Sequence, residues 1–437
     1  MNPVHMIQSL LNVENLPKDS LFSLRQGQLI YGKVQKFFQN NTALIQLGNV
    51  KLYAQLKASL SAGNSYWFEV QSNDGAEIHL KVVEGIGQNT SQQSIHSLLK
   101  HFQLPETKIN LQFVQFLLSK NLPITKGHLV ETQNWINKKT DFPKATAAIE
   151  YMIKKDLPFT KQIFQSLVAV QESKSFTSQL EQLGRFLEDP KFYSLKSTQP
   201  LKQMIGNILE NSSINQVFSS IDDQLPSGTE VKKMLESMIH SLGLEYDKEV
   251  EVWSKVKQES FESLDSLKPL LLKAMSELGN SGRELEPIIN RLTGMQLISQ
   301  ETNGPMLQIL MQLPILLGEK KSDVTLQWSG RKTSNGQIDP NYCRILFYLE
   351  LQSIQHTVID MHIQNKLIHI TVINDTKEIE TIITTLKPSL KEKLDELGYN
   401  LSFIKVIPPY EKDKLDEDQM NSSILLKDGY QEVDIKI

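Results

Sequence analysis

The length of 437 residues favours about three domains, and a hydrophobic fraction of 40% excludes a wholly disordered chain. The single cysteine, Cys343, excludes an internal disulfide and any metal site built on several cysteines, and no apolar stretch is long enough to span a membrane. The net charge of −4 and the absence of a signal-like N-terminus predict a soluble, cytoplasmic protein without bulk affinity for nucleic acid.

Five short strands are predicted within residues 23–84, after an N-terminal segment of residues 1–22. Each run alternates with period two, and turn pairs such as Asn40-Asn41 and Asp74-Gly75 separate the runs. Five strands in about 60 residues can close only a small barrel or a tight sandwich, and we predict a small β-barrel. Because these strands carry few basic residues and no interleaved aromatic platform, we predict that the barrel does not bind nucleic acid.

A polar linker, residues 85–94, precedes a helical region that we predict over residues 95–320, as one domain or two. The lone Gly85-Ile86-Gly87 lacks the third glycine of a dinucleotide site, so no cofactor is predicted. Beyond the first 80 residues of this region, helical runs are predicted at 177–188, 200–220, 229–242, 248–258, 263–279 and 305–317.

A short motif, L-P-x-T-K, occurs three times in the helical region, at Leu104–Lys108, Leu122–Lys126 and Leu157–Lys161. Proline cannot continue a helix, and threonine two residues later is a good N-cap for the next one. The motif therefore predicts three helix–turn–helix corners, with N-caps at Thr107, Thr125 and Thr160.

Residues 321–407 return to period two and predict an α+β domain, with a mostly antiparallel sheet and one packed helix. The helix is predicted to begin at an Asp375 N-cap, to be kinked or split by Pro388, and to end before Gly398. A two-residue turn at Asn365-Lys366 is expected between two strands. The predicted strands are Val324–Trp328, Arg344–Gln352, Thr357–Ile363, Leu367–Ile373 and Leu401–Ile407.

The last segment, residues 408–437, holds eight acidic residues and four lysines, and so carries the entire net charge. Two interpretations stay open: an acidic docking tail, or a solvated end without a partner. Its final residues Val433, Ile435 and Ile437 alternate with charged residues and predict a short strand. Such a strand can bind an exposed sheet edge, either of its own chain or of a partner.

Residues 324–407 resemble the C-terminal domain of bacterial flagellar hook-length control proteins. The resemblance rests on the order of a strand with Leu349-Glu350-Leu351, two further strands, a Leu-spaced helix ending in Leu397-Gly398-Tyr399, and a closing strand. The folded N-terminal part is similar to an uncharacterised Firmicutes branch of that family.

The resemblance implies a non-enzymatic protein that docks its C-terminal domain on the cytoplasmic domain of a flagellar export-switch component. We carry over this docking role but not a ruler role, because a measuring segment must be extendable and the middle of this chain is helical and Leu-rich. Export of the protein through the flagellar apparatus stays open. The alternative is a cytosolic adaptor that uses the barrel for recognition, and a weaker third hypothesis is an enzyme with a dispersed site.

Catalytic motifs are absent from the sequence, and Cys343 lacks a histidine at a family-like spacing, which predicts a buried structural residue. One set of residues contains possible metal ligands. His356, Asp360 and His362 share a strand face, and the two-residue turn places His369 opposite His362. These residue types could hold zinc or nickel. We favour the solvent-exposed face of a half-buried sheet, and predict no metal.

Overall fold

The computed structural model describes residues 24–39, 42–47, 50–56, 60–73, 78–83, 86, 92–136, 140–193, 195–211, 228–244, 265–299, 305–317, 320–351 and 354–409. The predicted helical run at 248–258 and the terminal residues Val433, Ile435 and Ile437 lie outside these ranges. Within them the chain forms a small barrel, a helical middle and a C-terminal sheet with one helix, as the sequence predicts.

The barrel closes because β1 pairs with both β2 and β4, in the circular order β1-β2-β3-β5-β4. Alternate side chains point inwards and include Val34, Ile45, Phe68 and Val70, none of which is accessible to solvent. The strands are β1 Leu29–Phe37, β2 Thr42–Leu47, β3 Val50–Leu56, β4 Ser65–Asn73 and β5 Ile78–Val82.

The helical middle is held by one large apolar core that also reaches the first strands of the C-terminal sheet. Two short 3-10 segments, Pro190–Phe192 and Gly279–Leu285, lie between its α-helices. The described α-helices are α1 Gln92–His101, α2 Lys108–Ser119, α3 Lys126–Trp135, α4 Phe142–Lys154, α5 Lys161–Ala169, α6 Phe176–Phe186, α7 Thr198–Asn211, α8 Gly228–Leu242, α9 Leu267–Leu278 and α10 Glu286–Ser299.

The three L-P-x-T-K corners are confirmed, because the hydroxyls of Thr107, Thr125 and Thr160 each accept a backbone N–H from the first turn of α2, α3 and α5. Each corner also begins with a residue of positive φ directly before the leucine, at Gln103, Asn121 and Asp156. The leucine N–H then bonds five residues back, which is a Schellman helix end.

The corners also join the barrel to the helices. Leu29 of β1 and Ile124 of the second corner exchange two backbone hydrogen bonds, both 2.8 Å long. Beside the third corner, an Arg25 guanidinium N lies 2.6 Å from an Asp156 carboxylate O. The repeated motif thus serves both as a helix connection and as a support for the barrel.

The C-terminal sheet has six strands in the order β11-β10-β9-β8-β7-β6, all antiparallel except the β10–β11 pair. The helix between those two strands, α11 Ile379–Glu396, packs on β11. The strands are β6 Met306–Leu317, β7 Lys320–Lys332, β8 Ile338–Leu351, β9 Gln355–Gln364, β10 Leu367–Ile373 and β11 Asn400–Ile407.

The helix predicted at 305–317 is wrong: this segment is β6, so the sheet begins inside the range predicted as helical. The run is almost continuously apolar because residues 310–315 are buried on both faces, and such a run has no strand period to recognise. Pro314 would have broken a helix but is tolerated in β6, which is an edge strand.

The C-terminal helix also differs from its prediction. It begins later, with Glu378 at the N-cap, whereas Asp375 lies outside it. The helix is neither split nor ended by Pro388, which lies within the assigned span. Gly398 has a φ of +77° and ends the helix as predicted, and Asn365 and Lys366 form the two-residue turn with φ of +49° and +66°.

Candidate functional site

The outer face of the barrel strands β1–β3 forms the first candidate surface. The register aligns Lys33, Gln46 and Lys51 in one row across the three strands, and Lys36, Leu44 and Tyr53 in the next. The sequence from residue 27 to 56 contains three lysines and no acidic residue, so this face is basic although the whole chain is acidic.

An exposed aromatic pair lies on this face. The Tyr53 side chain is 63% exposed, and its ring centroid lies 5.6 Å from that of Phe38, which is also exposed. The ammonium of Lys36 lies 5.4 Å from the centre of the Phe38 ring. Exposed rings with flanking lysines can stack a planar group and attract an anion at the same time. We refer to Phe38, Tyr53, Lys33, Lys36 and Lys51 as the barrel face.

The sequence predicted a barrel without an interleaved aromatic platform, and the structure places one exposed, tilted aromatic pair on its outer face; that the barrel does not bind nucleic acid stays a prediction. Phe38 follows β1 and Tyr53 lies on β3, so the two rings meet only because the sheet curls and pairs these strands through β2. A signal was available in the outward position of Tyr53, between the inward-facing Leu52 and Ala54, and in the absence of acids over residues 27–56.

Helix α11 carries the second candidate surface. Ile379 is its only residue classed as buried, and Ile383 and Leu394 pack partly against the apolar sheet residues. Three further apolar residues at a spacing of four, Ile382, Leu386 and Leu390, remain exposed, and Leu386 is 58% exposed. We call these three residues the α11 stripe. Such a line of exposed large apolar side chains on a folded helix is typical of a surface that contacts another protein.

The predicted metal-like residues lie on the sheet face opposite α11, and His362 is directly opposite His369 as expected. Each of these residues instead interacts with a neighbouring side chain. Arg344 Nε and Nη2 donate to the two Asp360 oxygens over 2.8 and 2.7 Å, and the Asp360 side chain is only 13% exposed. His362 Nε2 is 3.1 Å from an Asp360 oxygen.

Burial alone would raise the pKa of Asp360, but the hydrogen bonds from Arg344 and His362 outweigh it and lower this pKa to about 2. His356 Nδ1 lies 2.7 Å from the Tyr348 hydroxyl, and the His369 ring stacks on Phe403 with centroids 4.7 Å apart. Among the described residues, no group of three or more His, Cys, Asp or Glu side chains is arranged to hold a metal ion.

Cys343 is buried in β8, and burial raises the pKa of its thiol. A raised thiol pKa lowers the thiolate fraction, which is the form that reacts as a nucleophile or binds a metal. Its position thus agrees with a structural residue. None of the helices in the described part of the chain combines the length and the apolar character needed to cross a bilayer.

The first comparison with known proteins concerns the barrel. Residues 6–81 match the family described as the TP0910 S1-like domain, and the described strands of that range belong to the closed five-stranded barrel. Over its length, the chain is similar to an uncharacterised protein of Bacillus subtilis (strain 168), YlqG, with 22% identity over 549 aligned positions that cover 94% of each chain. No solved structure gives a significant match.

Proposed function

We propose that this is a non-enzymatic binding protein, which docks its C-terminal domain on another protein through the α11 stripe. The observation that carries the proposal is the exposure of Ile382, Leu386 and Leu390 in one line on a helix that already uses other residues to pack on the sheet. Fully burying an exposed leucine or isoleucine contributes about 1.5–3 kcal/mol. The three stripe residues are 37–58% exposed, so each has roughly half of that contribution to gain on binding, and together they can anchor a complex.

The resemblance to hook-length control proteins suggests the partner, namely the cytoplasmic domain of a flagellar export-switch component. Apolar anchors at a spacing of four fit an apolar groove on the partner. Lys387 and Lys391 lie next to the stripe and are exposed, so an acidic rim around such a groove would favour the same orientation.

The test is calorimetric titration of the full chain with that partner domain, using the double variant Leu386→Asp/Leu390→Asp. We expect the affinity to fall by at least about tenfold, since tenfold corresponds to only 1.4 kcal/mol. The matched control is Thr381→Asp/Thr385→Asp, which adds the same charges at the same spacing on an exposed neighbouring line of α11. Equal binding by the two variants, or no binding by the unmodified chain, would contradict the proposal.

A second function is favoured by the barrel face, namely binding of single-stranded nucleic acid. The exposed Phe38–Tyr53 pair offers rings for base stacking, three lysines offer charges for phosphates, and the S1-like barrel has the architecture that often serves oligonucleotides. This function is a form of the alternative hypothesis, in which the barrel is used for recognition, and it names nucleic acid as the ligand. It is independent of the α11 stripe.

The test is fluorescence anisotropy with a labelled oligouridine at low salt. Stacking contributes about 1–3 kcal/mol per base, so we expect Tyr53→Ala to weaken binding by roughly tenfold. Tyr193→Ala is the matched control, because Tyr193 is an exposed tyrosine of the helical region. A Tyr53→Ala chain that binds as tightly as the Tyr193→Ala chain would exclude the barrel face as the site.

A further inference from the structure

The face of the C-terminal sheet opposite α11 changes in chemistry from one end to the other. The third row of this face, defined below, and Leu346 form an apolar cluster that is largely buried. The accessible part of the face is therefore the polar and aromatic part, in the first two rows. The pairing of β8–β11 places the side chains in these rows: Arg344, His362, His369 and Phe403; then Leu346, Asp360, Thr371 and Lys405; then Tyr348, Val358, Ile373 and Ile407.

Two planar stacks lie on the accessible part of the face. The His369 and Phe403 rings have centroids 4.7 Å apart and only 13° between their planes, and Phe403 is 44% exposed. The guanidinium of Arg331, an exposed residue, lies 4.9 Å from the centre of the Tyr342 ring. Tyr342 shares the face of Arg344, because it lies two residues earlier on β8. Aromatic rings and guanidinium planes are the groups on which unpaired bases of single-stranded RNA stack.

The separation of the two stacks restricts the ligand. Tyr342 lies on β8 and Phe403 on β11, so three strand spacings, about 14 Å, separate them across the sheet. A ligand that contacts both must be extended and must carry more than one planar group. A short stretch of single-stranded RNA has both properties, and a sheet with rings on its open face is a known platform for two or three bases.

The charges on the accessible part of the face favour a polyanion. Asp360 is the only acidic residue in the first two rows of these described strands, and Arg344 neutralises it through hydrogen bonds of 2.8 and 2.7 Å. Arg331 and Lys405 are both exposed and so add a surplus of positive charge. His362 uses Nε2 for Asp360, which leaves Nδ1 of its 39% exposed side chain to bond with a ligand group such as a ribose 2′-hydroxyl.

We infer that this part of the sheet binds single-stranded RNA, with bases stacked on Phe403 and on the Arg331–Tyr342 pair and a phosphate beside Lys405. We call Arg331, Tyr342, His362, Phe403 and Lys405 the sheet face. An acidic protein segment would match the cations but would leave the two planar stacks unused. The inference goes beyond both proposed functions, because the sheet face is separate from the barrel face and lies on the other side of the sheet from the α11 stripe.

The first test is fluorescence anisotropy with labelled decauridine at low salt. The full chain carries Tyr53→Ala, which removes the exposed ring of the barrel face and so isolates the sheet face. In this chain we expect Phe403→Ala to weaken binding by roughly tenfold, because the stacking of one base accounts for about this factor. The matched control is Tyr193→Ala, at an exposed aromatic residue of the helical region, and it should change the affinity by less than twofold.

A second variant separates a lost contact from a damaged fold. Lys405→Gln removes one positive charge from an exposed position and should lower the slope of log affinity against log salt by about 0.7, the value for one phosphate contact with a single strand. Lys387→Gln removes the same charge from an exposed position on α11, on the other side of the sheet, and should leave the slope unchanged.

Three results would overturn the inference. The first is no measurable binding of decauridine by the Tyr53→Ala chain. The second is equal binding after Phe403→Ala and after Tyr193→Ala, together with equal salt slopes for the two lysine variants. The third is equal affinity for decauridine and for its deoxyuridine counterpart, because the ligand would then not be recognised as RNA.

Discussion

The two β domains of this chain solve the problem of strand edges in opposite ways. In the barrel every strand has two neighbours, and its core is enclosed within the domain around residues such as Phe68 and Val34. The C-terminal sheet is open, and its apolar contacts are divided between the large helical core and two small clusters. Closure therefore leaves the barrel's outer face available for a ligand. The stability of the open sheet, in contrast, depends on the elements that pack at its two ends.

One half of the open sheet is anchored in the helical middle. Arg291 of α10 donates from Nε to Gln312 Oε1 of β6 over 2.7 Å, and both residues are buried. Asp323 of β7 accepts the backbone N–H groups of Phe176 and Thr177, where the carboxylate also complements the positive end of the α6 dipole. In the described part of the chain, no comparable buried polar contact joins β9–β11 or α11 to the helical middle, and the exposed stripe and the outer strand β11 both lie at this end of the sheet.

The largest effect is expected from the enclosed barrel core. Phe68→Ala removes a fully buried ring and should lower the free energy of unfolding of the barrel by about 3–5 kcal/mol. Urea-dependent hydrogen exchange at the barrel peptides measures this without the other domains. Tyr53→Ala, an aromatic change on the outer face, should cost less than about 1 kcal/mol. Similar costs for both changes would mean that the barrel is not the self-contained unit that its closure suggests.

A smaller effect is expected from Asp360, in the part of the sheet remote from the helices. Its pKa is lowered in the folded state to about 2 from an ordinary value of 3.8, so its stabilising contribution is complete above about pH 4 and is lost as the pH falls through 2. The shift corresponds to about 2 kcal/mol.

The measurement is the free energy of unfolding of the C-terminal sheet at pH 5 and pH 2, for the unmodified chain and for Asp360→Asn. We expect the difference between the two chains to shrink by about 2 kcal/mol at the lower pH, because the variant has no carboxyl group to protonate there. A difference that stays constant would show that the Arg344–Asp360 pair does not stabilise the ionised form.

Much of the fold could be predicted from local chemistry. The barrel strands, the β9–β10 hairpin and the three threonine caps each depend on alternation, a turn or a cap within a few neighbouring residues, and the structure has all of them. The His362–His369 pairing followed from the two-residue turn alone.

The elements that were missed are those whose pattern is set by distant parts of the chain. β6 is apolar on both faces because helices cover it, and α10 was not predicted because its buried residues, among them Arg291, Gly294 and Met295, surround the helix and erase its amphipathic period. The Phe38–Tyr53 pair depends on barrel closure. In each case the deciding contact joins residues that no short window contains.

The smallest stability effect is expected on the α11 stripe, and it completes the contrast with the barrel. Leu386→Ala should change the free energy of unfolding by less than about 0.5 kcal/mol, because this side chain is already largely in water in the unbound protein. Ile379→Ala, on the same helix but buried against the sheet, should cost about 2–5 kcal/mol. Denaturant-dependent exchange of the α11 and β11 peptides compares the two variants. If Leu386→Ala were as costly as Ile379→Ala, the stripe would already be covered within the full chain, and it could not be the free surface that docking requires.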